Sequence, residues 1–244
     1  MTFNEKRAKK GLYPQALPAI GGRSLVFLAM LGVLGSGTAF AACPPDPKFN
    51  RTSVIKVTHP EAPTRYFHDR TTAQIQSMWK SRSHGSGRHN PGLTVFEHKL
   101  GTSFQIVGES LRGGKGYCVW AEKVTADFAI HRMDVYLSRD YAYASCQYEA
   151  ILSHENTHVT INRRVYQKYL VRLQAALKAD RTLPLQGNPL QVASMAEGER
   201  IVSTRLQAIT QPVVRAMEAE LRSENAKIDT PESYRKLSGR CQSW

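Results

Sequence analysis

Long apolar runs are nearly absent from this chain of 244 residues. The most apolar stretch, residues 24–34, falls short of the roughly 20 residues that a spanning helix needs. No later stretch comes closer, so a stable membrane span after the N-terminal region is not expected. Basic runs are short as well: Arg163-Arg164 is the longest beyond residue 41. The formal net charge of +13 is therefore spread over a solvated surface rather than gathered into a nucleic-acid patch. Internal repeats and low-complexity tracts are missing. Cysteine is scarce, with Cys43, Cys118, Cys146 and Cys241 too far apart in the chain for the paired spacing of a structural zinc site.

What is present begins with the order of a signal peptide. Lys6, Arg7, Lys9, Lys10 and Arg23 precede the apolar run, and Ala39-Phe40-Ala41 supplies the small-x-small pattern of a cleavage site. Residues 1–41 are expected to be a targeting segment and residues 42–244 a single domain, periplasmic or secreted. Losing the five leader cations and Glu5 would leave the domain at +9, a balance suited to acidic substrates or anionic envelope polymers. All four cysteines survive such a cleavage, and an even number in an oxidising compartment predicts two disulfides, with three pairings open.

The expected fold class is α+β, with a sheet part over about 42–140 and a helical part over about 141–244. Residues 52–58 predict one strand and residues 71–80 a short helix. A Ser/Gly-rich loop over 81–92 carries His84 and His89. Residues 93–99, 103–111, 117–125 and 127–137 then predict four meandering antiparallel strands. In the last of them, alternation places Ala129, His131, Met133, Val135 and Leu137 on the more buried face, with His131 as a core histidine. From about 144 to 180 the chain has neither Gly nor Pro, which predicts a helix. A second helix is expected over about 190–209, broken or kinked at Pro212 and resumed to about 225. Thr230-Pro231-Glu232 marks the capped start of a short last helix.

The chemistry concentrates in His154-Glu155-Asn156-Thr157-His158. Two histidines four apart on a helix stand one turn above each other and can converge on one ion. Ile151, His154, His158, Ile161 and Val165 share one stripe, which turns both rings inward. Imidazole nitrogen suits Zn2+, and Glu155 beside the histidines is placed to accept a proton from a zinc-activated water.

At these residues the chain resembles the zincin metallopeptidases, in particular small secreted bacterial zinc-dependent proteases. The detailed resemblance covers about residues 146–164, and the order of sheet then helix extends it loosely over 93–210. It implies His154 and His158 as zinc ligands, Glu155 as general base and an edge strand that holds an extended peptide. Residues 134–137 are the expected edge. A third ligand is required. The metzincin continuation is absent after His158, so a glutamate from the following helix, the gluzincin arrangement, is expected, although the usual gluzincin signature around it is also absent. Between Glu197 and Glu199, the stripe Val192, Met195, Glu199, Val202, Leu206 and Ile209 favours Glu199. Tyr141, Tyr143 and Arg200 are unassigned possibilities for oxyanion stabilisation. The expected function is an exported zinc-dependent peptidase acting on peptide or protein substrates or cell-envelope material. The alternative is a non-catalytic envelope protein with a structural zinc site or partner-binding helices.

Overall fold

The computed structural model describes Cys43 and residues 53–82, 91–111 and 113–244. The expected leader and the loop histidines His84 and His89 lie outside these residues. The described elements run β1 (Val54–Thr58), β2 (Thr64–Arg70), α1 (Thr72–Arg82), β3 (Gly92–Ser110), β4 (Tyr117–Ser138), α2 (Cys146–Ala179), β5 (Leu190–Val192), α3 (Met195–Ile228) and α4 (Pro231–Ser238).

β4 is the spine of a five-stranded mixed sheet. Its partner β3 runs antiparallel along its whole length, from Gly92 opposite Leu137 to Ser110 opposite Tyr117. The other edge of β4 is therefore left to three short strands in series. β5 pairs antiparallel at residues 117–119, β1 parallel at 123–127 and β2 parallel at 133–138, and Glu61 adds a parallel bridge at Ile130. The expectation of an all-antiparallel meander is thus corrected. The four predicted strands fuse into two, because Gly101 and Ala126 lie within continuous pairing rather than at turns. Parallel pairing, which needs distant segments to return to the same edge, leaves no local pattern to read.

Two bulges decide which side chains of β4 enter the core. Register shifts against β3 leave Glu122 and His131 as extra residues on β4. Each bulge reverses the inward-outward alternation. The buried face consequently reads Val119, Ala121, then Val124, Ala126, Phe128 and Ile130, then Met133, Val135 and Leu137. Strict alternation back from Leu137 through His131 therefore fails, and His131 is exposed on the bulge rather than in the core.

That face is covered by α2 and α3, which pack as an antiparallel pair of 34-residue helices, each about 51 Å long. Ser145 and Ser194 cap them by accepting hydrogen bonds from the Tyr148 and Glu197 N–H groups. Cross-links such as Arg164 to Glu224 and Lys168 to Glu220 fix their register. α3 continues through Pro212, contrary to the expected break; Pro212 is exposed, so the ring's demand for space is met on the solvent side. α1 covers the opposite face around Ile75, Leu93, Val95 and Tyr136.

The disulfides are Cys43–Cys118 and Cys146–Cys241. The second ties the start of α2 to the segment after α4. Among the described residues, no helix is long and apolar enough to cross a membrane.

Candidate metal centre

His154 and His158 lie in the third and fourth turns of α2, where the stripe that buries Ile151, Ile161 and Val165 brings both rings against the end of α3. Their centroids are 4.9 Å apart. Both Nε2 atoms converge on one oxygen, Asp229 Oδ1, at 3.2 Å from His154 and 3.1 Å from His158. One ligand atom from each of the three residues can be chosen so that all lie within 4.8 Å of one another, a group able to hold a metal ion.

Asp229 is the residue that closes α3, its N–H bonded to the Asn225 carbonyl. A carboxylate there meets the negative end of the helix dipole, a mildly unfavourable placement that nearby positive charge offsets. Burial would raise the Asp229 pKa, but hydrogen bonds and charge from His154 and His158 outweigh it and hold the carboxyl well below its usual range. Burial would likewise lower His158, yet Asp229 and Glu155 overcome it and push the imidazole up to about 9. A metal at Nε2 must displace that proton.

The surroundings fix which nitrogen of His158 faces the carboxylate. Asn225 Nδ2 donates to Asn162 Oδ1 at 2.9 Å and to the Leu221 carbonyl at 2.8 Å, so its Oδ1 is left to accept from His158 Nδ1 at 2.7 Å. Nδ1 therefore carries hydrogen, and Nε2 is the ligand atom. The Tyr234 hydroxyl donates to Asp229 Oδ1 at 3.1 Å, and its ring lies 5.4 Å from that of His154. Two imidazoles and a carboxylate, with their outer partners in place, form a three-residue group that could hold a metal ion.

Glu155 sits beside this group, 2 % exposed. The Thr94 hydroxyl on β3 donates to Glu155 Oε2 at 2.7 Å and also approaches the Glu155 carbonyl at 3.2 Å. Gly92 makes the approach possible: a Cβ there would stand 2.5 Å from Glu155 Oε1 and 2.8 Å from Ile151 Cγ2. Burial raises the Glu155 pKa, against the opposing pull of His158 and the Thr94 hydrogen bond. Glu155, His158 and Asp229 line one cavity of about 440 Å³ together with residues 93–96 of β3 and the C-terminal part of α3.

Of the expected site residues, the structure brings together His154, Glu155 and His158. Glu199 is elsewhere. It is exposed near the start of α3, 30 residues before Asp229, or about 45 Å along the helix. The inward position is Gly198, packed so closely on Val119 that a Cβ would come within 2.9 Å of Val119 Cγ2. Glu197 caps the helix instead, accepting from the Ala193 N–H. Tyr141 packs on Trp244, Tyr143 is 76 % exposed and Arg200 lies in the first turns of α3; none joins the centre.

Asp229, Asn225, Tyr234 and Thr94 were not visible as site residues in the sequence. One signal was available for the first two. The buried positions Gly198, Val202, Leu206, Thr210, Met217 and Leu221 continue in steps of three and four, with half-buried Val213 between, to Asn225 and Asp229. Ending the stripe at Pro212 hides it. No family model, curated protein or solved structure matches this chain.

Proposed function

We propose that the protein is an exported zinc-dependent hydrolase that cleaves peptide or amide bonds. The observation that carries the reading is the placement of Glu155: a carboxylate sealed from solvent, more basic than usual, and beside a two-histidine, one-aspartate group in a cavity wall. His154, His158 and Asp229 would hold the ion, which when bound supplies Lewis acidity that makes water nucleophilic near neutral pH and polarises a carbonyl. Glu155 accepts the proton of the attacking water and returns it to the leaving amine. The Thr94 hydroxyl holds Glu155 Oε2 and fixes the carboxylate in place for this role. Tyr234 and Asn225 keep Asp229 and His158 aimed.

β3 supplies the other wall. Among the described residues it pairs with β4 alone, so its outer edge can take an extended peptide by backbone hydrogen bonds. The expected edge at residues 134–137 is corrected: those residues are paired on both sides, by β2 and β3. The zincin likeness remains a likeness of the motif and its helix. Two disulfides accord with an oxidising, periplasmic or secreted location.

The test is metal analysis and hydrolysis of quenched fluorescent peptides by the purified domain. Wild type should bind about one zinc per chain. Glu155→Gln should keep the metal and lose at least about a hundredfold in hydrolysis. Wild-type rates from that variant would refute the mechanism. A non-catalytic structural site would instead show a fourth protein ligand to the metal.

A further inference from the structure

The catalytic cavity does not end at the metal centre. A second cavity of about 610 Å³ lies between β3 and α3, lined by Leu100, Thr102, Gln207, Thr210 and others. It shares His98 and Glu218 with the first. β3 runs away from the centre in one direction of the chain and α3 in the other, so the two cavities follow each other along one groove. His98 Nε2 lies 3.4 Å from Glu218 Oε1, and this pair marks the junction. Thr94, which touches Glu155, and His98 are four strand residues apart, about 13 Å. An extended peptide covers that distance with about four residues.

The junction and the outer half are ringed by cations. Lys99 and Arg215 line the second cavity against one carboxylate there, Glu218, while Arg222 lines the first, which also holds Glu155 and Asp229. All three cations are exposed, and among the described residues none is in an ion pair with a carboxylate; Arg215 reaches only the Gln211 side-chain oxygen. Two cations against one carboxylate give the outer cavity a local positive potential, extended toward the junction by Arg222, which attracts and orients an anionic chain.

We infer that this groove selects substrates carrying acidic residues about four positions from the bond that is cut. The inference rests on the hydrolase reading for the bond itself, but not for binding. The occupant is an extended acidic peptide, because the edge of β3 that has no strand partner among the described residues forms one wall and offers backbone pairing that a glycan cannot use.

The experiment uses the full domain with Glu155→Gln, so that binding is read without cleavage. Fluorescein-labelled dodecapeptides share a neutral half and carry Glu, Gln or Lys residues in the other half. Fluorescence anisotropy should give the Glu peptide about tenfold tighter binding than the Lys peptide, a difference that shrinks with salt. Adding Arg215→Glu and Arg222→Glu, with the fold checked by circular dichroism, should abolish or reverse the preference; Lys99→Glu should weaken it from the strand side. Equal binding of the three peptides overturns the inference. So does a preference that survives the charge reversals, or binding of sulfated dextran without any peptide. Wild-type protein that cleaves all three peptides equally overturns the groove and leaves the hydrolase. Glu-peptide binding without cleavage of any peptide by zinc-loaded wild type does the opposite.

Discussion

The α2–α3 pair has two ends built from one continuous stripe, and they differ in what the stripe carries. At the end formed by the C-terminus of α2 and the N-terminus of α3, Leu173, Leu177, Leu183, Val202 and Leu206 are at most 1 % exposed and simply close the core. At the other end the same helical faces present Glu155, His158, Asn162, Asn225 and Asp229, buried or half-buried. Burying polar groups is costly unless each finds a partner. Here the partners are found: Thr94 for Glu155, Asn225 for His158, Asn162 for Asn225 and Tyr234 for Asp229. A fold needing only stability would use leucine at both ends. The polar end is where the helices spend stability on a site.

The comparison breaks most sharply at Asp229. Asp229→Ala should weaken zinc binding by at least about a hundredfold, while Glu199→Ala leaves stoichiometry and affinity unchanged. Isothermal titration of the two variants against wild type checks this, and the opposite pattern would restore Glu199 as the ligand. At the closed end, Leu206→Ala should cost about 2–5 kcal/mol in denaturant unfolding and leave zinc stoichiometry intact. A smaller effect separates holding a metal from aiming its ligand: Asn225→Ala should weaken zinc by about 10–100-fold. Cobalt substitution would report the loosened coordination in the visible spectrum.

A control lies on the opposite face of the sheet. Asp134 is buried, which alone would raise its pKa, but hydrogen bonds from Arg65 and Arg132 bring it below the ordinary value. A carboxyl depressed by folding contributes stability above its unfolded pKa and loses it as pH falls through the folded one. Arg132→Gln should therefore move acid unfolding to higher pH, followed by circular dichroism. Zinc binding at neutral pH should be unaffected, since the network touches neither end of the helix pair.

How much of this was legible follows the range of the interactions. The helix over 146–179, its inward histidines and the last helix's start at Thr230-Pro231 depend on spacing within a few turns, and spacing is written in the chain. The sheet was misread where long-range pairing intervenes: the β4 bulges at Glu122 and His131 reset alternation, and β1 and β2 return in parallel to one edge. Pro212 misled differently, because a proline on the exposed side of a long packed helix does not end it.

By itself the sequence determined a pair of imidazoles four residues apart on one inward helix face, with a glutamate beside them, because helical geometry is local. It also determined that four cysteines were available for two bridges. Only the tertiary structure decided that Cys43 pairs with Cys118 and Cys146 with Cys241, that β3 pairs with β4 alone among the described residues, and that Asp229 meets the two histidines. The reason is distance along the chain. Asp229 lies 71 residues beyond His158, and the two meet because α3 runs its full length back along α2.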